Sequence, residues 1–136
     1  KGFFGWLSPK LYAIPVDQEG ADMGSLKRLI KELKNGNPVL IFPEGQRSTD
    51  GEILPGEAGV GLVIAKSKAP VLPIRIFGAY EAFPRGSKFP KLFTRITVNV
   101  GDMIKFGEDE LKTKTREGYQ SLSDRVMDSI KVIKKP

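Results

Sequence analysis

The sequence contains no histidine and no cysteine. Without cysteine there is no disulfide and no thiolate metal site, and carboxylates alone suit zinc poorly. Without histidine, the side chain most often used as a general base near neutral pH is missing. No apolar run reaches the roughly 18 residues expected of a membrane-spanning helix. No secretory signal is visible from Lys1 onward.

What is present fits one domain, spanning residues 1–136, long enough to bury a core. Forty per cent hydrophobic and 28% charged residues place the chain in the globular class and exclude a disordered one. Lys and Arg exceed Asp and Glu by 22 to 16, a net charge of +6 that points to nucleic acid, an anionic membrane or an anionic substrate. A nucleic-acid reader calls for a basic recognition helix or for aromatics and cations interleaved on a strand. Neither stands out, and nucleic acid is not expected as a partner. The basic end Lys131 to Lys135 serves equally as charge at a helix C-terminus.

The hydrophobic pattern alternates between helix and strand. Leu11 to Val16 reads as a short strand. A helix capped by Asp22 or Ser25 runs to about Lys34, with Leu26, Leu29, Ile30 and Leu33 on one stripe. Asn35-Gly36-Asn37-Pro38 ends it and leads into a buried strand through Ile41 and Phe42. Residues 57–67 read as a helix apolar nearly all round, in which Gly59 and Gly61 are offset by close packing against the sheet. Val71 to Phe77 is a strand interrupted by Pro73. Arg95 to Val100 alternates as a half-buried strand does, and Tyr119, Leu122, Val126, Met127, Ile130 and Ile133 line one face of a last helix. Helices between strands predict an α/β unit with a mainly parallel central sheet flanked by helices.

The run Phe42-Pro43-Glu44-Gly45-Gln46-Arg47-Ser48-Thr49 follows the strand ending at Phe42, where open α/β sheets bind ligands. Gly45 permits close backbone approach, Arg47 offers a planar fork for phosphate or carboxylate, and Glu44 accepts from hydroxyl groups. The spacing alone equally admits a Pro-Glu-Gly turn followed by a solvated arginine.

The octet resembles the Phe-Pro-Glu-Gly-Thr-Arg-Ser signature of the 1-acylglycerol-3-phosphate acyltransferase family, with Gln46 in place of Thr. Ala13-Ile14-Pro15-Val16-Asp17-Gln18 looks like that family's Ile-Pro-Val-Asp-Arg block, and Ala69-Pro70-Val71-Leu72-Pro73-Ile74 resembles its Pro-Val-Val-Pro-Val block. The resemblance covers about residues 3 to 105. It implies a glycerolipid acyltransferase-like fold that moves a fatty acyl group from acyl-CoA or acyl-carrier protein to a lysophosphatidate. Such a reaction needs the acyl thioester as co-substrate, no further cofactor and no metal. The family's catalytic His-x-x-x-x-Asp block has no counterpart here, so no catalytic residue is assigned. The start Lys1-Gly2-Phe3 matches the interior of a family member, which implies a fragment truncated at the N-terminus, or a degenerate non-catalytic relative.

Under that resemblance the chain holds the acceptor side. Arg47 grips phosphate, Glu44 orients the glycerol, and Gly45 and Ser48 add donors. Gln18 stands where the family has a phosphate-holding arginine, so either Lys10 or Arg28 compensates or the acceptor is another lysophospholipid or lipid. A non-catalytic domain that binds anionic lipid is a further alternative. Phe3, Phe4, Trp6 and Leu7 suit either missing core or a membrane interface, and the loop at Tyr80 and Phe83 reads as ordinary packing near the groove. The expected location is the cytoplasmic side of a membrane, peripheral or anchored by a missing N-terminal segment, with a lysophospholipid, an acyl thioester and the membrane surface as partners.

Overall fold

The computed structural model describes residues 23–135. The expected strand at 11–16, the Phe3–Leu7 cluster, Lys10 and Gln18 lie outside these residues.

The first described helix, α1, spans Met23–Lys34. Leu29 is buried, and Leu26, Ile30 and Leu33 are partly buried, so the predicted stripe is the packed one. Ser25 sits inside the helix rather than capping it. At the other end Gly36 takes φ +84° and Asn37 N–H donates to Glu32 O at 3.0 Å. That is the left-handed stop which Asn-Gly chemistry predicts.

Helix α2 (Ala58–Ser67) and the long final helix form the main helix interface. The core there holds Val63, Ile64, Leu122, Val126 and Met127, all at most 4% exposed. Burying each such side chain contributes about 1.5–3 kcal/mol relative to exposure. Gly61 is the reason the helices approach so closely: a Cβ on it would lie 1.8 Å from Tyr119 O. The expectation that this glycine packs against the sheet is therefore corrected, since its neighbour is a helix backbone.

Strand β1 (Ile74–Phe77) begins directly after Pro73, as a residue without an N–H dictates. A one-turn helix, α3 (Ala79–Ala82), follows, and then a long loop to β2 (Thr97–Val100). Among the described residues the sheet is two-stranded and antiparallel, with Arg75 opposite Asn99 and Ile76 opposite Val98. The α/β character holds, but the pairing seen is not parallel. The expected strand through Phe42 is also absent: 38–42 is irregular, with Leu40 74% and Phe42 66% exposed. No described strand lies beside it to take up its backbone hydrogen bonds, and a strand cannot form alone.

The β2 alternation is present with its faces reversed. Thr97 and Asn99 are half-buried, while Val98 and Val100 are exposed. The last helices, α4 (Glu108–Leu111) and α5 (Arg116–Lys131), supply the reason. Arg75 Nη1 donates to Lys131 O at 2.8 Å and Ile133 O at 2.9 Å, and Asn99 Nδ2 donates to Lys134 O at 2.7 Å. The polar strand face is turned inward because it satisfies the carbonyls left over at the end of α5.

Candidate functional site

The loop from Phe42 to Glu57 carries four of the five predicted site residues, and its shape follows from short-range bonds. Gly45 N–H donates to Phe42 O at 3.2 Å, closing a tight turn with Gly45 at φ +67°. The positive φ is what calls for glycine here, and a Cβ would also press on the Glu57 side chain at 3.0 Å. Glu57 N–H reaches back to Pro43 O at 2.8 Å, and Leu54 N–H donates to Glu44 Oε2 at 2.6 Å. Glu44 thus braces the loop from inside with one carboxylate oxygen.

Ser48 opens a second turn. Its hydroxyl donates to Asp50 Oδ1 at 2.9 Å and accepts from Gly51 N–H at 2.9 Å. The Asp50 carboxylate also accepts from Glu52 N–H at 3.0 Å. The Glu52 amide first, and the Ser48 hydroxyl second, hold the Asp50 carboxyl below its ordinary value. The one proton of Ser48 is engaged inside the turn, so this hydroxyl builds the loop rather than facing outward as a donor.

Helix α3 and the residues after it clamp this loop from the other side. Tyr80 Oη donates to Thr49 O at 2.9 Å, and a Cβ on Gly51 would lie 2.9 Å from the Tyr80 ring. Arg47 Nη2 donates to Phe83 O, and its guanidinium lies 4.7 Å from the Phe83 ring centroid. Arg85 Nη1 then donates to Arg47 O at 3.3 Å. Arg47 is exposed, and among the described residues no carboxylate pairs with it or with Arg85. Its ring stacking fixes the fork without neutralising it. The result is a solvent-facing corner, with two unpaired guanidinium charges, built by two loops more than 30 residues apart in sequence.

Glu44, Gly45, Arg47 and Ser48 therefore share one loop, with Gln18 outside the described residues. Arg28 is exposed on α1 and makes no hydrogen bond or ion pair to this loop. Tyr80, Phe83 and Arg85 were not among the predicted site residues. The run Ala79 to Gly86 was expected near the groove, with Tyr80 and Phe83 as ordinary packing, but nothing local in the sequence linked it to Arg47. Among the described residues no cluster of three or more acidic side chains is placed to hold a metal ion, and no helix is long and apolar enough to cross a membrane.

This loop lies within the part of the chain that known proteins share. The family model described as Acyltransferase matches residues 1–77. The chloroplastic 1-acyl-sn-glycerol-3-phosphate acyltransferase of Brassica napus is 34% identical over 86 residues, covering 62% of this chain and 25% of its own length. The Bacillus subtilis 1-acyl-sn-glycerol-3-phosphate acyltransferase is 36% identical over 87 residues, covering 62% of this chain and 43% of its own. The crystal structure of the 1-acyl-sn-glycerophosphate acyltransferase PlsC from Thermotoga maritima superposes with a TM-score of 0.63 at 25% identity, over 97% of this chain and 53% of that one. The chain thus spans less than half the length of these curated relatives and about half of the solved one. With the family model covering more than half of its residues, the octet loop included, the chain belongs to the acyltransferase family.

Proposed function

We propose that this chain forms the acceptor side of an enzyme that transfers a fatty acyl group from a thioester to 1-acylglycerol-3-phosphate. One observation carries the reading: Arg47 is held by Phe83, its charge is left unpaired, and it faces solvent. An unneutralised, oriented guanidinium suits the two oxygens of a phosphate monoester. The names of the similar proteins support the acceptor class. In the reaction the free hydroxyl attacks the thioester carbonyl, the new C–O bond forms as C–S breaks, and the hydroxyl proton passes through a base to the departing thiolate. The sequence has no histidine, so a base of that type comes from outside these residues. Holding the phosphate restrains the hydroxyl and removes part of the entropic barrier. Glu44 braces the loop with one oxygen and leaves the other for the glycerol.

The co-substrate is acyl-CoA or acyl-carrier protein, and the enzyme works at the cytoplasmic face of a membrane, peripheral or anchored by another segment. The whole domain would carry a mainly parallel central sheet, with 38–42 as one of its strands. The exposure of Leu40 and Phe42 supports that last point.

The test is Arg47→Ala and Arg47→Lys in the whole enzyme. Arg47→Ala should raise the acceptor KM or lower kcat/KM by at least tenfold, about 1.4 kcal/mol or more, with the thioester KM unchanged. Lysine should recover only part of the loss, because it lacks the planar fork. Unaltered acceptor kinetics in both variants would remove Arg47 from the site.

A further inference from the structure

The segment from Ala82 to Gly101 has a composition unlike the rest of the chain. It contains Arg85, Lys88, Lys91 and Arg95 and no acidic residue. Its apolar side chains are turned out: Phe89 is 80% exposed, Leu92 78% and Phe93 104%. Arg85, Lys88 and Lys91 are exposed beside them. The loop is nevertheless built. Lys91 N–H donates to Ala82 O at 2.7 Å, Ser87 N–H donates to Pro84 O at 3.2 Å, and Thr94 Oγ1 donates to Lys91 O at 3.2 Å. These bonds draw the two ends of 82–91 together and hold the tip in one shape. Phe93 sits at φ +71°, where a bulky side chain is strained, and gains no packing in return.

Three large apolar side chains at full exposure, interleaved with cations and free of acids, match one partner. Apolar rings enter the boundary between lipid headgroups and acyl chains, while the lysine and arginine heads stay with anionic phosphates. We propose that the 85–93 loop is a docking surface for an anionic lipid bilayer. Arg85 belongs to both features, since it also donates to the backbone of Arg47. The docked loop would thus set the acceptor site at the headgroup plane. This last point rests on the acceptor reading, whereas the docking itself does not.

The experiment is cosedimentation of the full chain with vesicles of phosphatidylcholine alone or mixed with phosphatidylglycerol. Binding should favour the anionic vesicles by at least tenfold at low salt, and salt should erase the preference. The double variant Phe89→Ser/Phe93→Ser should lose about tenfold or more in partitioning, and Lys88→Glu/Lys91→Glu should lose the anionic preference. In a separate Phe93→Trp variant, brominated acyl chains should quench fluorescence beyond the Trp6 background. No binding to anionic vesicles, unchanged partitioning of the serine variant, or no added quenching would each overturn the proposal. So would serine variants that alter only self-association or capture of another protein. Arg47→Ala should leave vesicle binding intact, so a failure of the acceptor reading appears in acceptor kinetics and a failure of docking appears here.

Discussion

In the α2–α5 half of the molecule, the side chains that a 3.6-residue period marks as apolar are the buried ones. In the β1–β2 ribbon a clean period of two is also present, yet Val98 and Val100 face solvent and Thr97 and Asn99 face in. Helices satisfy their own backbones, so the apolar stripe decides which way they turn. A two-stranded ribbon is marginal by itself and leans on whatever bonds its neighbours offer. Here the offer comes from the carbonyls at the end of α5, which polar side chains take up. The comparison teaches that periodicity names an element more securely than it names the buried face.

The largest effect that would test this contrast lies at Gly61. Gly61→Ala places a methyl 1.8 Å from a backbone carbonyl that cannot rotate away, so α2 and α5 must separate. A loss of about 3 kcal/mol is expected, or about 10 °C in thermal midpoint. A midpoint within two or three degrees of the parent would show that the helix pair is not the rigid half. A smaller effect is expected at the join between the halves. Arg75→Ala removes both bonds to the carbonyls of Lys131 and Ile133, at and just past the end of α5, and should cost about 1–2 kcal/mol. Amide exchange should quicken in the last turn of α5 and stay unchanged in α2. Uniform loosening would mean that the ribbon supports more than the helix end.

The same division explains how much was legible beforehand. The three longer helices and the Asn35-Gly36 stop follow from local chemistry and stand close to where the sequence places them, and the strand expected from Val71 to Phe77 is found from Ile74 on. The octet loop was legible as a turn carrying a guanidinium. Its partners were not, because Tyr80, Phe83 and Arg85 reach it only through tertiary folding. Nor does a sequence reveal that the Ser48 proton is already taken by Asp50. Residues 38–42 show the opposite failure: their branching and length suit a strand, but a strand is a relation between segments, and no described segment lies alongside.

Acid offers a gentler comparison, between two turns that each hold one carboxylate tuned by backbone donors. Asp50 lies in the loop from Phe42 to Glu57, directly after the octet. Glu110 lies at the start of α4, where the Gly107 amide first and Arg125 second lower its pKa. Both folded values lie below the unfolded ones. Their stabilisation is therefore complete above the ordinary carboxylate range of about 3.9–4.3 and fades as pH falls through the lowered folded values. Carboxyl carbon titration by NMR should place both midpoints below that range. Ser48→Ala should raise the Asp50 midpoint and leave Glu110 where it is. A shared shift would deny that the two turns are independent.

The smallest expected effect is the most pointed. Val98→Thr preserves the β-branched shape and changes a methyl to a hydroxyl on a side chain 57% exposed. In the core the same exchange would bury a hydroxyl and cost on the order of 1–3 kcal/mol. At a solvent-facing position it should stay within about 0.5 kcal/mol by thermal or denaturant unfolding. Pairing with Ile76 survives, because the register is set by backbone bonds. Thr97→Val on the inward face provides the matched control, since a methyl there replaces a hydroxyl rather than adding one. If Val98→Thr instead costs more than about 1 kcal/mol, the core scale applies to it. The outer face of the ribbon would then be covered, and the two halves would differ in which layer buries them rather than in whether they are buried.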